Sequence, residues 1–152
     1  MLNAIVRLGF SYSKLLLAVG IGLLVLGSPV NSSATTSIIL KGTILPMDHE
    51  EGLNRYVLEY GGHKSVFQVD DVRLMGFSGD SGNQSGWSIL NSIGRQKLIV
   101  RGGNEQAVRD LTEPSGMCKG IRLQGTLYVS SGTLLLGSVN PVPAVNRPEM
   151  CD

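Results

Sequence analysis

The sequence predicts a mainly β domain: a small barrel of five or six strands with one or two short helices, preceded by an N-terminal signal segment. Three observations predict it. Apolar and polar side chains alternate with a two-residue period along most of the chain. One phrase returns three times, as Ile38-Ile-Leu-Lys-Gly42, Leu98-Ile-Val-Arg-Gly102 and Ile121-Arg-Leu-Gln-Gly125. Glycine weakens a strand interior, so Gly42, Gly102 and Gly125 mark places where strands bend or coil, as closing a small barrel requires. The third observation is a long apolar run confined to the first 34 residues.

In that leader Arg7 and Lys14 are the only charges, and both precede the 12 apolar residues Leu15–Leu26. Such a run suits a secretory signal and falls short of the roughly 20 residues a membrane-spanning helix needs. Gly27, Ser28 and Pro29 break it, and Ser32-Ser33-Ala34 supplies small residues for cleavage after Ala34. Residues 1–34 therefore read as a signal peptide, and the product as periplasmic or secreted. The alternative is an uncleaved leader, with Leu15–Val30 anchoring the chain in a thin membrane.

Residues 35–140 read as the barrel domain. Ile38, Leu40, Gly42 and Ile44 share one face of the first strand, which Pro46 ends. A polar connection leads to a second strand, Leu53–Tyr60, with Tyr56, Leu58 and Tyr60 on one side. Gly61-Gly62 is a tight-hairpin signal. The third strand, Lys64–Val69, sets Val66 opposite in face to Phe67 and Val69, and Asp70-Asp71 end it in a turn. The Gly- and Ser-rich stretch 76–86 predicts a long mobile loop, and Trp87–Ile93 one or two helical turns. Lys97–Arg101 is a fourth strand. Asn104 as N-cap, Glu105, the stripe Ala107, Val108 and Leu111, and a stop at Pro114 predict a short amphipathic helix. A last hairpin joins Ile121–Val129 to Thr133–Val139 across Ser130-Ser-Gly132. Leu134-Leu-Leu136 is apolar on both faces, as in a strand covered twice. Together these elements describe a three-strand meander, a helical link, and strands that return to close the sheet.

Cys118 and Cys151 are the only two cysteines. In an exported chain they read as one disulfide. It ties down a tail, residues 141–152, whose prolines 141, 143 and 148 keep it from holding itself by sheet hydrogen bonds. Two thiolates without a nearby histidine make a poor zinc site.

Removing residues 1–34 from the 152 leaves 118, enough for one domain. Lys plus Arg falls from 13 to 11 against 12 acids, for a net charge of about −1. Near-neutrality argues against binding a nucleic-acid backbone or an anionic membrane surface, both of which need clustered bases. Met47-Asp48-His49-Glu50-Glu51 sets a histidine among carboxylates. Neighbours in sequence rarely converge on one ion, and only His63 elsewhere adds to the set, so Asp48, His49 and His63 are weak metal candidates. Gly76-Phe-Ser-Gly79 lacks the spacing of a nucleophile elbow.

The succession of strands resembles the OB-fold barrels, in particular their small exported bacterial versions. Leu40-Lys-Gly-Thr-Ile44, Tyr56-Val-Leu-Glu-Tyr60, Val66-Phe-Gln-Val-Asp70, Leu123-Gln-Gly-Thr-Leu127 and Leu134-Leu-Leu-Gly-Ser-Val139 carry the resemblance. Leu98–Arg101 is a sixth strand that a five-stranded OB barrel does not need. The resemblance implies ligand binding over the second and third strands, near Tyr56, Tyr60 and Phe67, with Arg122 as a charged contact. Burial in the core is the competing use of those three rings. The function expected is an exported, non-enzymatic binding or assembly module of the cell envelope. It needs no cofactor and has an envelope protein or a small ligand as partner. One alternative is a small envelope enzyme or metal-binding protein using His49 and His63 with nearby acids. A second is a binder of single-stranded nucleic acid or oligosaccharide.

Overall fold

A computed structural model describes residues 34–94, 96–102, 105–113, 117–145 and 147–151. The signal-peptide reading concerns residues that, Ala34 apart, lie outside these, as do the N-cap Asn104 and the stop at Pro114. Six strands are present: β1 (Thr35–Leu45), β2 (Arg55–Tyr60), β3 (His63–Leu74), β4 (Lys97–Arg101), β5 (Gly120–Tyr128) and β6 (Thr133–Val142). They close into a barrel in the ring order β1-β3-β2-β4-β6-β5. Helix α1 (Asp80–Asn91) lies between β3 and β4, and α2 (Glu105–Thr112) between β4 and β5. The two-residue alternation sends Ile38, Leu40, Ile44, Tyr56, Leu58, Phe67, Leu98, Leu123 and Leu127 inward, where all are buried in one apolar core.

The meander expected of the first three strands is not what forms. β1 pairs with β3 and β5, antiparallel to both, and β2 lies beyond β3. β1 and β2 therefore run the same way, and the chain between them must cross β3 on the outside. The amide of Val69 donates to the Asn54 carbonyl at 2.9 Å beneath this crossover. The Arg55 guanidinium clamps it, donating to the carbonyls of His49 (3.1 Å) and Glu51 (2.6 Å) and to Gln68 Oε1 (3.1 Å). Val66 faces outward by alternation yet is fully buried, because this cover removes it from water. The sixth strand, β4, stands between β2 and β6 and is parallel to both.

Two of the three repeated glycines sit at bulges. The β1–β3 register shifts between Lys41 and Gly42, and the β5–β6 register between Gln124 and Gly125. A Cβ at Gly42 would collide with the Gln68 carbonyl, and one at Gly125 with the Leu135 carbonyl. Neighbouring backbones approach there too closely for any side chain. Gly102 differs: it follows the end of β4 with φ of +116°. The shift opposite Gly42 also explains Asp70-Asp71. The pair does not end β3; Asp70 is the extra residue of the bulge, and the strand continues to Leu74.

Three further expectations are corrected. The stretch 76–86 is not one long loop, because α1 begins inside it at Asp80. Gly82, Gly86 and Leu90 recur every four residues on the buried face of that helix. A Cβ on Gly86 would lie 2.7 Å from Cγ1 of Val72, so Gly86 lets α1 settle directly onto β3, while one on Gly82 would meet Cβ of Phe77 at 2.8 Å. Close packing outweighs their poor helix propensity. The proline-rich tail enters the sheet before it leaves: Pro141 pairs with Ile121 and Val142 with Gly120. β6 meets β4 only over Thr133–Leu135, so its far half is an edge where proline removes no ladder bond. Leu135 is 45% exposed, so that strand is covered on one face only.

Strand directions give the barrel two unlike ends. One gathers the end of β1, the β2–β3 turn, α2, the start of β5 and the tail. There Cys118 and Cys151 form a disulfide with Cα atoms 5.5 Å apart. The other gathers the start of β1, α1, the start of β4 and the β5–β6 turn.

Candidate functional site

The aromatic groove implied by the OB resemblance is absent from the surface. Tyr56 and Tyr60 are 2% and 3% exposed and Phe67 is fully buried, so these rings fill the barrel and offer no stacking platform. The Tyr56 hydroxyl hydrogen-bonds Asn91 Oδ1 at 3.1 Å, and burial pushes its phenol above the usual range. Tyr60 stacks on His63, ring centres 5.9 Å apart, at the β2–β3 turn. Arg122 stands on the outer wall between Lys41 and Asn140 and donates to Gln124 Oε1 at 3.2 Å. His49 Nε2 lies 3.4 Å from Asp48 Oδ1 on the crossover. Among the described residues no three His, Cys, Asp or Glu side chains gather as a metal site would require.

Among the described residues, two clefts open on the wall. One, of about 370 Å³, lies under the crossover and is lined by Glu50, Glu51, Gly52, Arg55, Val57 and Gln96. Its single base, Arg55, is committed to backbone carbonyls and Gln68, so its donors serve the fold. The other, of about 460 Å³, is lined by Ile93, Gly94, Lys97, Ile99, Ser130 and Ser131. That volume lies within the range of small-ligand sites.

The larger cleft is assembled from three distant parts of the chain. The turn after α1 supplies Ile93 and Gly94, β4 supplies Lys97 and Ile99, and the β5–β6 turn supplies the two hydroxyls. The parallel pairing of β4 with β6 draws them together, with the Ile99 amide donating to the Gly132 carbonyl at 2.9 Å. Ser131 Oγ is held by Thr133 Oγ1 at 2.8 Å. Ile93 and Ile99 give apolar wall; Lys97 and the serines give polar groups.

Charge at this cleft is unbalanced. Lys97, Ile99 and Arg101 share the outer face of β4, and Glu59 stands beside Ile99 with Lys64 on its far side. The Lys97 ammonium pairs with Glu59. That hydrogen bond is the largest influence holding the Glu59 carboxyl below the usual range, against partial desolvation, with added pull from the charges of Lys97, Lys64 and Arg101. Three cations thus share one carboxylate, the only acid in β2, β4 or β6.

Sequence reasoning placed Ser130-Ser-Gly132 in a turn and Lys97–Arg101 in a strand, but nothing local joined them into a site. No protein-family model matches the chain, and no curated protein or solved structure matches it either.

Proposed function

We propose that this is an exported, non-enzymatic binding module of the cell envelope that holds its partner at the cleft between α1, β4 and the β5–β6 turn. The observation that carries the reading is this cleft, where apolar wall, two hydroxyls and surplus positive charge converge on a packed barrel. The Cys118–Cys151 disulfide is compatible with export. Among the described residues no helix is long and apolar enough to cross a membrane. A filled interior leaves the outer surface as the place to bind, as the burial of Tyr56, Tyr60 and Phe67 requires.

In-cell photo-crosslinking tests the reading, with the crosslinker placed at Ser130 and, as a control, at Glu113 beyond α2. A discrete adduct in the envelope fraction from Ser130 alone is the expected result. Equal yields from both positions, or none from Ser130, overturn it. The enzyme alternative has its own test: loss of the deletion phenotype's rescue by His49→Ala with His63→Ala would favour catalysis over binding.

A further inference from the structure

We infer that the cleft at Lys97, Ile99, Ser130 and Ser131 takes an organic oxyanion, a carboxylate or phosphate group carried on a short apolar body. This rests on the reading of the cleft as the binding site and adds the chemistry of what enters it. The apolar body has Ile93 and Ile99 to lie against, and about 460 Å³ accommodates a body of a few carbons beside a charged head. The head has Lys97 and the Ser130 hydroxyl among the lining groups, one cationic donor and one hydroxyl donor, while the Ser131 hydrogen is given to Thr133 Oγ1.

Charge fixes the sign of the ligand. On the wall beside the cleft, Lys64, Lys97 and Arg101 surround a single carboxylate, Glu59, which leaves two positive charges uncompensated. Ile99 lies between Lys97 and Arg101 on the outer face of β4, so both bases flank the apolar floor. The β5–β6 turn adds no acid, and the connection between β3 and β4 adds only Asp80, at the far end of α1. The C-terminal end of α1 does face this region, and its partial negative charge favours cations. Two of its last carbonyls are occupied, Ile89 O accepting from Ser92 and Leu90 O from the Ile93 amide, and just beyond it Ile93 O accepts from the Gln96 amide. Two full charges exceed what that half-charge offsets.

The other basic group on the wall gives the contrast. Lys41 and Arg73 both lie on Asp71, at 4.0 and 3.0 Å, Asp70 sits beside it in the bulge, and Arg122 is engaged by Gln124. That set is nearly balanced and opens no cleft among those described above.

Titration of the full chain with butyrate, butyl phosphate and butanol, followed by amide NMR shifts, tests the inference. Saturable shifts at Gly94, Lys97–Ile99 and Ser130–Ser131 with either anion, at least tenfold tighter than with butanol, are expected. The two anions distinguish a carboxylate ligand from a phosphate one. Arg101→Gln and Lys64→Gln should each weaken the anion several-fold and leave butanol unchanged, and 200 mM salt should weaken it further. Butanol binding as tightly as the anions, shifts scattered over all the bases, or no loss in Arg101→Gln overturns the oxyanion assignment. If Ser130 still crosslinks in cells while the anions fail, the cleft remains the binding site and only its ligand class is wrong.

Discussion

The two ends of this barrel are built for different purposes. At one end specific long-range links hold the chain. Arg109 of α2 donates to the Gly61 carbonyl at 3.2 Å, and the disulfide fastens the tail to the start of β5. Carboxylates sit in the elements and connections there: Asp48 just after β1, Asp110 and Glu113 in and after α2, and Glu149 in the tail. At the other end α1 is seated by Gly86 against Val72 and by the Tyr56–Asn91 hydrogen bond, and the β3–β4 and β5–β6 connections carry one acid, Asp80. Apolar side chains are exposed at both ends, Phe77 at 62% and Met75 at 43% here, Val145 at 74% and Met150 at 40% in the tail. The cleft opens at this second end. A fold that staples one end can leave donors and apolar surface unspent at the other, because the global stability is already secured.

The largest test of this contrast is the staple itself. Replacing Cys118 and Cys151 together by serine should cost about 3–4 kcal/mol, the loop-closure value for a sequence separation of 33. Denaturant midpoints measure it, and amide exchange should show the loss concentrated in α2, the tail and the start of β5. A uniform loss over both ends would show that they are not separate.

Next come the bulges, one in each half of the barrel. Gly42→Val and Gly125→Val should each destabilise by about 2–4 kcal/mol, combining collision with a neighbouring carbonyl and backbone displacement. Valine favours ordinary strands, so propensity alone predicts a neutral or mildly positive effect. A Gly125→Val midpoint at or above the parent's would break the barrel-corner reading of the cleft half.

A smaller effect belongs to Tyr56, which links the core to the end of α1. Tyr56→Phe should cost about 1 kcal/mol at neutral pH through its lost bond to Asn91. Burial raises the folded-state phenol pKa, so the parent's stability is intact below the unfolded value of 10.0 and falls as pH rises above it. Phenylalanine has no such loss, and the gap between the two proteins should narrow above pH 10. A gap that widens there would reverse the sign of the shift.

The smallest expected change is at the open end. Phe77→Ser should alter stability by less than about 0.5 kcal/mol, since the ring is mostly in water. A loss above 1 kcal/mol would show that this end is packed as tightly as the stapled one.

Much of the fold was legible in the chain. Alternation sorted the side chains of β1, β2 and β5 into two faces without saying which way Tyr56 and Tyr60 point, and the recurring glycines located both bulges. The cysteine pair was legible because a chain with two cysteines has one possible internal disulfide. What misled was local composition: glycine and serine over 76–86 read as loop, though Gly86 is what lets α1 touch Val72. Asp70-Asp71 read as a turn because a bulge is a property of two strands, invisible in one. Of the site, Lys97 and the serines were in view as a strand and a turn, without any reason to connect them.

The sequence by itself determined the strands, the grouping of their side chains into two faces, the bulge glycines and the disulfide, because each depends on residues near one another or on a pair without rivals. Only the tertiary structure decided that β1 sits against β3, that the chain crosses over β3, and that β4 runs parallel between β2 and β6. Those choices turn on which distant edges pair. Backbone hydrogen bonds are the same whichever strands share them, so the winner is set by how all the side chains pack at once. The cleft follows from that last pairing, which brings Ser130 and Ser131 to Lys97.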